Sequence, residues 1–175
     1  MSLLSLTHIY SGRVIQLNVE RVQLPNGNVA DLEIIHHPGG AAVVAIDEND
    51  CVCLLRQFRH AANGWIWELP AGKIDNREPP FDTVRRELEE EAGRKAGRWC
   101  DLGHYYSSPG VFTEVVHLFM AVDLVSVAVS FEAHEVIEVH WKRFDEALAM
   151  AHSGEIRDGK TLVGLFRAAE ARKKL

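Results

Sequence analysis

The sequence predicts a mixed α/β (α+β) domain preceded by an antiparallel β extension, and three observations carry that reading. β-Branched and alternating residues fill most of the first forty positions, broken by a strong turn signal at Pro25-Asn26-Gly27-Asn28. Two runs, residues 41–46 and 51–58, are almost wholly apolar, as expected of strands covered on both faces. Helical spacing of apolar residues is confined to one central segment (Phe81, Val84, Leu88) and two late ones (Phe144, Ala147, Leu148, Ala151, then Leu162, Leu165, Phe166, Ala169).

In order, residues 9–13 and 14–24 read as the first two strands, and residues 29–35 as the third. Pro38-Gly39-Gly40 then punctuates the chain, separating an extension (1–38) from the main domain (39–175). Residues 41–46 and 51–58 are expected to form a second hairpin about Asp47-Glu48-Asn49-Asp50. A short strand, 65–71, delivers the chain to Gly72. Pro79 and Pro80 suit the first turn of a helix, where a missing N–H would be unpaired anyway. Gly93 suits the left-handed residue that ends one. Strands at 99–106 and 115–122 flank Ser107-Ser108-Pro109-Gly110, and a further strand is expected at 136–141. Helices follow at 144–152, stopped by Gly154, and at 161–173.

A chain of 175 residues is long enough for one well-buried core, and 47% hydrophobic content is ordinary for a globular protein. No apolar run approaches the roughly 20 residues of a membrane span. Met1-Ser2-Leu3-Leu4-Ser5 lacks a basic region followed by a long apolar segment, so no secretory signal is visible. Three cysteines (Cys51, Cys53, Cys100) are too few and too odd for a disulfide framework, and the expected compartment is a reducing cytoplasm. A net charge of −6 leaves no basic stripe for a nucleic acid. Neither nucleic acid nor membrane is expected as a partner; a small, anionic, metal-escorted substrate fits better. The nine histidines do not make a metal set. His36 and His37, for instance, are adjacent and face opposite ways on a strand.

The helix between Pro79 and Gly93 carries its charges where they destabilise it. Glu87, Glu89, Glu90 and Glu91 crowd the last turns, where the helix dipole disfavours acids. Glu87 and Glu91 stand i, i+4 apart and repel. At about 100° per residue, Glu87, Glu90 and Glu91 gather on one side, away from the apolar stripe. A bound hard cation such as Mg²⁺ would reverse the sign of these terms; a solvated acidic face is the plainer alternative.

The surrounding residues resemble the Nudix box, Gly-x5-Glu-x7-Arg-Glu-U-x-Glu-Glu-x-Gly-U, with U a bulky aliphatic residue. Gly72, Glu78, Arg86, Glu87, Leu88, Glu90, Glu91 and Gly93 match in register, and Arg94 at the last U position departs from it. Agreement at eight fixed positions is far more specific than a lone glycine-rich loop. The resemblance implies a Nudix fold, a mixed β-sheet packed between helices, and hydrolysis of a nucleoside diphosphate derivative with Mg²⁺ or Mn²⁺. It also implies roles by position in the box. Glu87 and Glu91 become metal ligands with Glu90, and the Ala71 carbonyl is the loop's contribution. Glu90 and Arg86 also count among the catalytic residues, Arg86 by pairing with Glu78 or a neighbouring glutamate. A surface ion pair, worth little, is the bland reading of Arg86.

Further features are similar to the ADP-ribose pyrophosphatase subfamily. They are Arg56-Gln57-Phe58-Arg59, the approach Trp67-Glu68-Leu69-Pro70-Ala71-Gly72, a proline (Pro109) 16 residues beyond Gly93, and Ser108-Pro109-Gly110 with Glu114. That likeness implies cleavage of ADP-ribose to AMP and ribose 5-phosphate, with Arg59, Arg56, Glu68 and Glu114 on the substrate. A loop glutamate, Glu135 or else Glu132, is the expected base. It also implies a homodimer built through the N-terminal strands. No Lys or Arg lies between Arg21 and Arg56, so His36, His37 or an aromatic would have to hold the adenosine half. A nucleotide-sugar pyrophosphatase acting on GDP-mannose is the competing enzyme reading. A non-catalytic ADP-ribose sensor is the reading from another class; such modules carry a damaged box and an added effector domain, whereas here the box is intact and no spare domain is expected.

Overall fold

The computed structural model describes residues 2–128 and 136–173; Glu132 and Glu135 lie outside them. Strands β1 (Ser2–Ser11), β2 (Gln16–Gln23) and β3 (Val29–His36) form an antiparallel sheet in that order. The second turn falls where the sequence places it, with Gly27 at φ 86° and the Leu24 amide donating to the Asn28 carbonyl at 2.8 Å. The first does not. β1 begins at Ser2 and the chain turns through Gly12–Ile15, because β1 pairs along the whole of β2, from Ser2 opposite Gln23 to Ser11 opposite Gln16.

β4 (Gly40–Ala45) and β5 (Cys51–Arg59) are strands as expected, but they do not form a hairpin. β4 runs parallel to β9 (Val115–Ser126) inside a four-stranded sheet ordered β7-β4-β9-β8, where β7 is Ala71–Lys73 and β8 is Arg94–Tyr106. β5 sits between β6 (Gly64–Glu68) and β10 (Ile137–Arg143) in a separate antiparallel sheet. The two strands meet through an isolated bridge, Ile46 to Val52. The physical reason is in their composition: apolar on both faces, each is best satisfied at the centre of its own sheet.

Helices α1 (Pro80–Ala92), α2 (Phe144–Ser153) and α3 (Gly159–Arg172) cover these sheets. The alternation of β4 divides the core. Ala41, Val43 and Ala45 pack with Val84 and Leu88 of α1. Ala42 and Val44 pack with Leu165 of α3 and Phe144 of α2. Phe81 departs from its expected core position; it lies at the rim, edge-on to Trp99 with ring centroids 5.3 Å apart. Thr83, one turn of α1 in, is fully buried instead. Cys53 is buried among apolar residues, which pushes its thiol up to about 12, while Cys51 and Cys100 are half-buried; all three are free. No helix of the described residues is long and apolar enough to cross a membrane.

The end of β3 is stitched to the loop before β9. Ile35 donates to the Val111 carbonyl at 2.7 Å and accepts from the Thr113 amide at 2.9 Å. His37 donates its amide to the Thr113 hydroxyl at 3.0 Å. The N-terminal sheet is therefore tied to the loop that leads into β9.

Candidate active site

β6 ends at Glu68, the chain passes Leu69 and Pro70, and β7 lays Ala71 opposite Ala42 of β4. This brings Gly72 under the C-terminal half of α1. A Cβ at Gly72 would stand 1.8 Å from Glu87 Oε1, so only glycine permits this approach. The Ala71 amide donates to Glu91 Oε2 at 2.8 Å. Gly93, at φ 60°, closes the helix and donates to the Glu89 carbonyl.

The acidic end of α1 is not a uniformly solvated face. Glu89 points outward to Lys95 at 3.3 Å, whereas Glu87 and Glu91 are only 7% and 2% exposed. Carboxylates taken out of water need compensation. Arg86 supplies part of it. Its Nη1 donates to Glu87 Oε1 at 2.7 Å and to Glu90 Oε2 at 3.0 Å, and its Nη2 donates to Glu78 Oε1 at 3.1 Å. Partial burial works against the charge on Arg86, but Glu87, and with it Glu78 and Glu90, outweighs that cost and raises its pKa. Glu78 is held below the usual carboxylate range, first by the Thr83 hydroxyl at 2.7 Å and then by Arg86. One guanidinium thus ties three carboxylates.

These groups border a cleft of about 450 Å³. Of the residues expected at the site, Ala71, Arg86, Glu87, Glu90, Glu91, Arg59 and Glu114 all line it. Glu68 reaches it through Arg59, whose Nε and Nη2 donate to the Glu68 carboxylate at 2.7 and 3.0 Å. Burial alone would push the Glu68 carboxyl up, yet Arg59 and Lys160 hold it below its ordinary value. Arg56 is not brought there; its guanidinium lies over the Trp67 ring, 5.3 Å from the centroid. Trp65 packs edge-on to Phe58 and is likewise outside the cleft lining.

His37 lines the cleft, and Glu114 stands 3.4 Å from its Nδ1. The Gly39 amide donates to that nitrogen at 3.0 Å, which assigns the remaining ring proton to Nε2. Burial lowers the pKa of His37, with Glu114 opposing and Lys73 assisting. His36 instead pairs with Glu20 at 2.7 Å. Lys160, on the first turn of α3, is a cleft residue that sequence reasoning missed, as are Lys73 and Asp75 of the glycine loop. Asp158, three residues before Thr161, is a helix-cap signal that would have placed Lys160.

Among the described residues, no three His, Cys, Asp or Glu side chains are gathered ready around one point. The chemistry of the cleft nevertheless fits a hard divalent cation, since Glu87, Glu90 and Glu91 supply carboxylate oxygen donors on one side of it.

A family profile described as NUDIX domain matches residues 36–163. The chain is 39% identical over 155 residues to an ADP-ribose pyrophosphatase of Bacillus subtilis (strain 168), covering 87% of this chain and 84% of that protein. It is 36% identical over 159 residues to a methanol dehydrogenase activator of Bacillus methanolicus, covering 90% and 86%. It is 38% identical over 141 residues to a GDP-mannose pyrophosphatase of Salmonella arizonae, covering 75% and 73%. A crystal structure of an ADP compounds hydrolase superposes with a TM-score of 0.85 over 99% of this chain and 94% of that one, at 18% identity, which shows the shared fold.

Proposed function

This chain belongs to the Nudix hydrolase family, and from that membership we propose that it hydrolyses the diphosphate linkage of ADP-ribose, giving AMP and ribose 5-phosphate. The observation that supports this most directly is one cleft holding Glu87, Glu90 and Glu91 together with Arg59. Carboxylates suit a divalent cation, and a guanidinium suits phosphate oxygens. The ADP-ribosyl group rests on the relatives named for it.

Water adds to one phosphorus, the bridging P–O bond breaks, and the displaced phosphate oxygen leaves with its fragment. Glu87 and Glu91, with Glu90 and the Ala71 carbonyl, would hold Mg²⁺, or Mn²⁺ in its place. When bound, the cation supplies charge on the phosphoryl oxygens and lowers the pKa of water. Arg59 grips the diphosphate. Arg86 keeps Glu78, Glu87 and Glu90 in register, so the acids need not reorganise when substrate arrives. Glu114, with His37 beside it, faces the substrate or its water. Glu135 is the proposed general base, with Glu132 the alternative.

The likeness to a GDP-mannose pyrophosphatase supports a second reading in which the sugar nucleotide differs and the cleavage is the same. Both are tested by one panel: ADP-ribose, GDP-mannose and other nucleoside diphosphate sugars, with Mg²⁺, products separated by chromatography. ADP-ribose should give the highest kcat/KM. Equal or better turnover of GDP-mannose overturns the first reading.

The protein is further proposed to work as a homodimer in a reducing cytoplasm. β1 pairs with β2 and leaves Leu3, Leu4, Leu6, Ile9 and Tyr10 exposed, an apolar strand that a second copy would cover. Free thiols suit that compartment.

A further inference from the structure

Lys160 occupies the first turn of α3, where the helix dipole disfavours a cation. Its side chain is 17% exposed and close to two carboxylates. Nζ pairs with Glu68 Oε2 and with Asp158 Oδ2, the latter at 3.1 Å. Asp158 caps α3, accepting from the Thr161 amide at 3.0 Å and the Thr161 hydroxyl at 2.6 Å. That hydroxyl accepts from the Leu69 amide at 2.8 Å, just before the glycine loop. Lys160 thus joins the helix cap and the strand end to the buried Glu68 carboxylate, and Glu68 in turn holds Arg59.

Glu68 binds Arg59 along one edge of the guanidinium, through Nε and Nη2. The opposite edge keeps its own N–H donors, and Arg59 lines the cleft that holds the box glutamates. A long arginine is useful on a ligand only if its rotamer is held, since free rotamers must be ordered on binding. Glu68 can hold Arg59 only while it is ionised and fixed in place, and Lys160 provides a second cation on the same carboxylate. Taking the cleft as a diphosphate site, we propose that Lys160 is a positioning residue, which orients Arg59 through Glu68 for the diphosphate. Its place in the first turn and its partial burial both oppose the Lys160 charge, and the carboxylates of Glu68 and Asp158 offset them.

The test is a double-mutant cycle on the full chain, read by calorimetric binding of inorganic pyrophosphate with calcium in the buffer. Lys160→Met and Arg59→Met should each weaken binding about tenfold, the scale of one hydrogen bond to a charged group. The double variant should bind no more weakly than Arg59→Met, and Lys160→Arg should restore most of the affinity. Circular dichroism checks the fold of each variant; if Lys160→Met does not fold, Lys160→Gln takes its place. Additive losses would mean that Lys160 acts on phosphate independently of Arg59 and would overturn the proposal. So would unchanged binding in Lys160→Met, or no pyrophosphate binding by the unaltered protein. ADP-ribose hydrolysis by the unaltered protein is run in parallel. Failure there alongside intact coupling sinks the substrate assignment and leaves the role of Lys160 standing.

Discussion

At the scale of single residues, the site depends on contacts that tolerate almost no displacement. Gly72 illustrates this: a single added carbon would land 1.8 Å from Glu87 Oε1, so either the loop or the glutamate must move. Gly72→Ala is expected to lower kcat for the diphosphate substrate about a hundredfold, the cost of a displacement near 1 Å in a positioned group. Steady-state kinetics at saturating Mg²⁺ measure it. Glu91→Gln probes charge instead of space. The Gln carbonyl oxygen can still accept from the Ala71 amide, now at 2.8 Å from Glu91, so the melting temperature should barely change. Activity should fall by about 10²–10³, the usual effect of removing one charge-stabilising group. Retained turnover would remove Glu91 from the set of metal ligands.

Elements differ in what stabilises them. α1 ends in acids that oppose its dipole, so its stability comes from packing, with Val84 and Leu88 completely buried against β4. Leu88→Ala should cost about 2–5 kcal/mol by urea denaturation, the range for emptying a buried leucine site. The junction of β5, β6 and α3 is where stability should depend on pH. Glu68 is held below its ordinary value of 4.5 despite burial, because Arg59 and Lys160 favour its charged form. A depressed folded pKa contributes stability that is complete above the ordinary value and is lost as pH falls through the folded one. Urea midpoints should therefore separate the natural protein from Glu68→Gln at neutral pH and converge well below 4.5. A constant separation across that range would remove Glu68 as the cause.

For the whole molecule, the exposed apolar side chains of the N-terminal sheet set the expected assembly. β1 is exposed along its entire length, and its leucines and isoleucine belong to neither of the two buried clusters. Light scattering should give twice the 19.6 kDa chain mass, and Leu6→Asp with Ile9→Asp should shift it to that of one chain. A monomer in the natural protein would sink the dimer proposal.

Local chemistry made much of this legible in advance. Pro80 and Gly93 bound α1, the 25–28 turn joins β2 to β3, and the spacing from Gly72 to Gly93 marked the acids that line the cleft. Such features act over a few residues, so they are written in short stretches of sequence. The separation of β4 from β5 into different sheets was not legible, because two apolar strands joined by a tight turn read the same whether they pair or part. Nor was the burial of Glu87 and Glu91, the exposure of Phe81, or the arrival of Lys160 beside a carboxylate 92 residues earlier. By itself the sequence determined which groups could do this chemistry and the local turns that present them. The tertiary structure decided which carboxylates are withdrawn from water and which cations meet them, because long-range packing alone sets those distances.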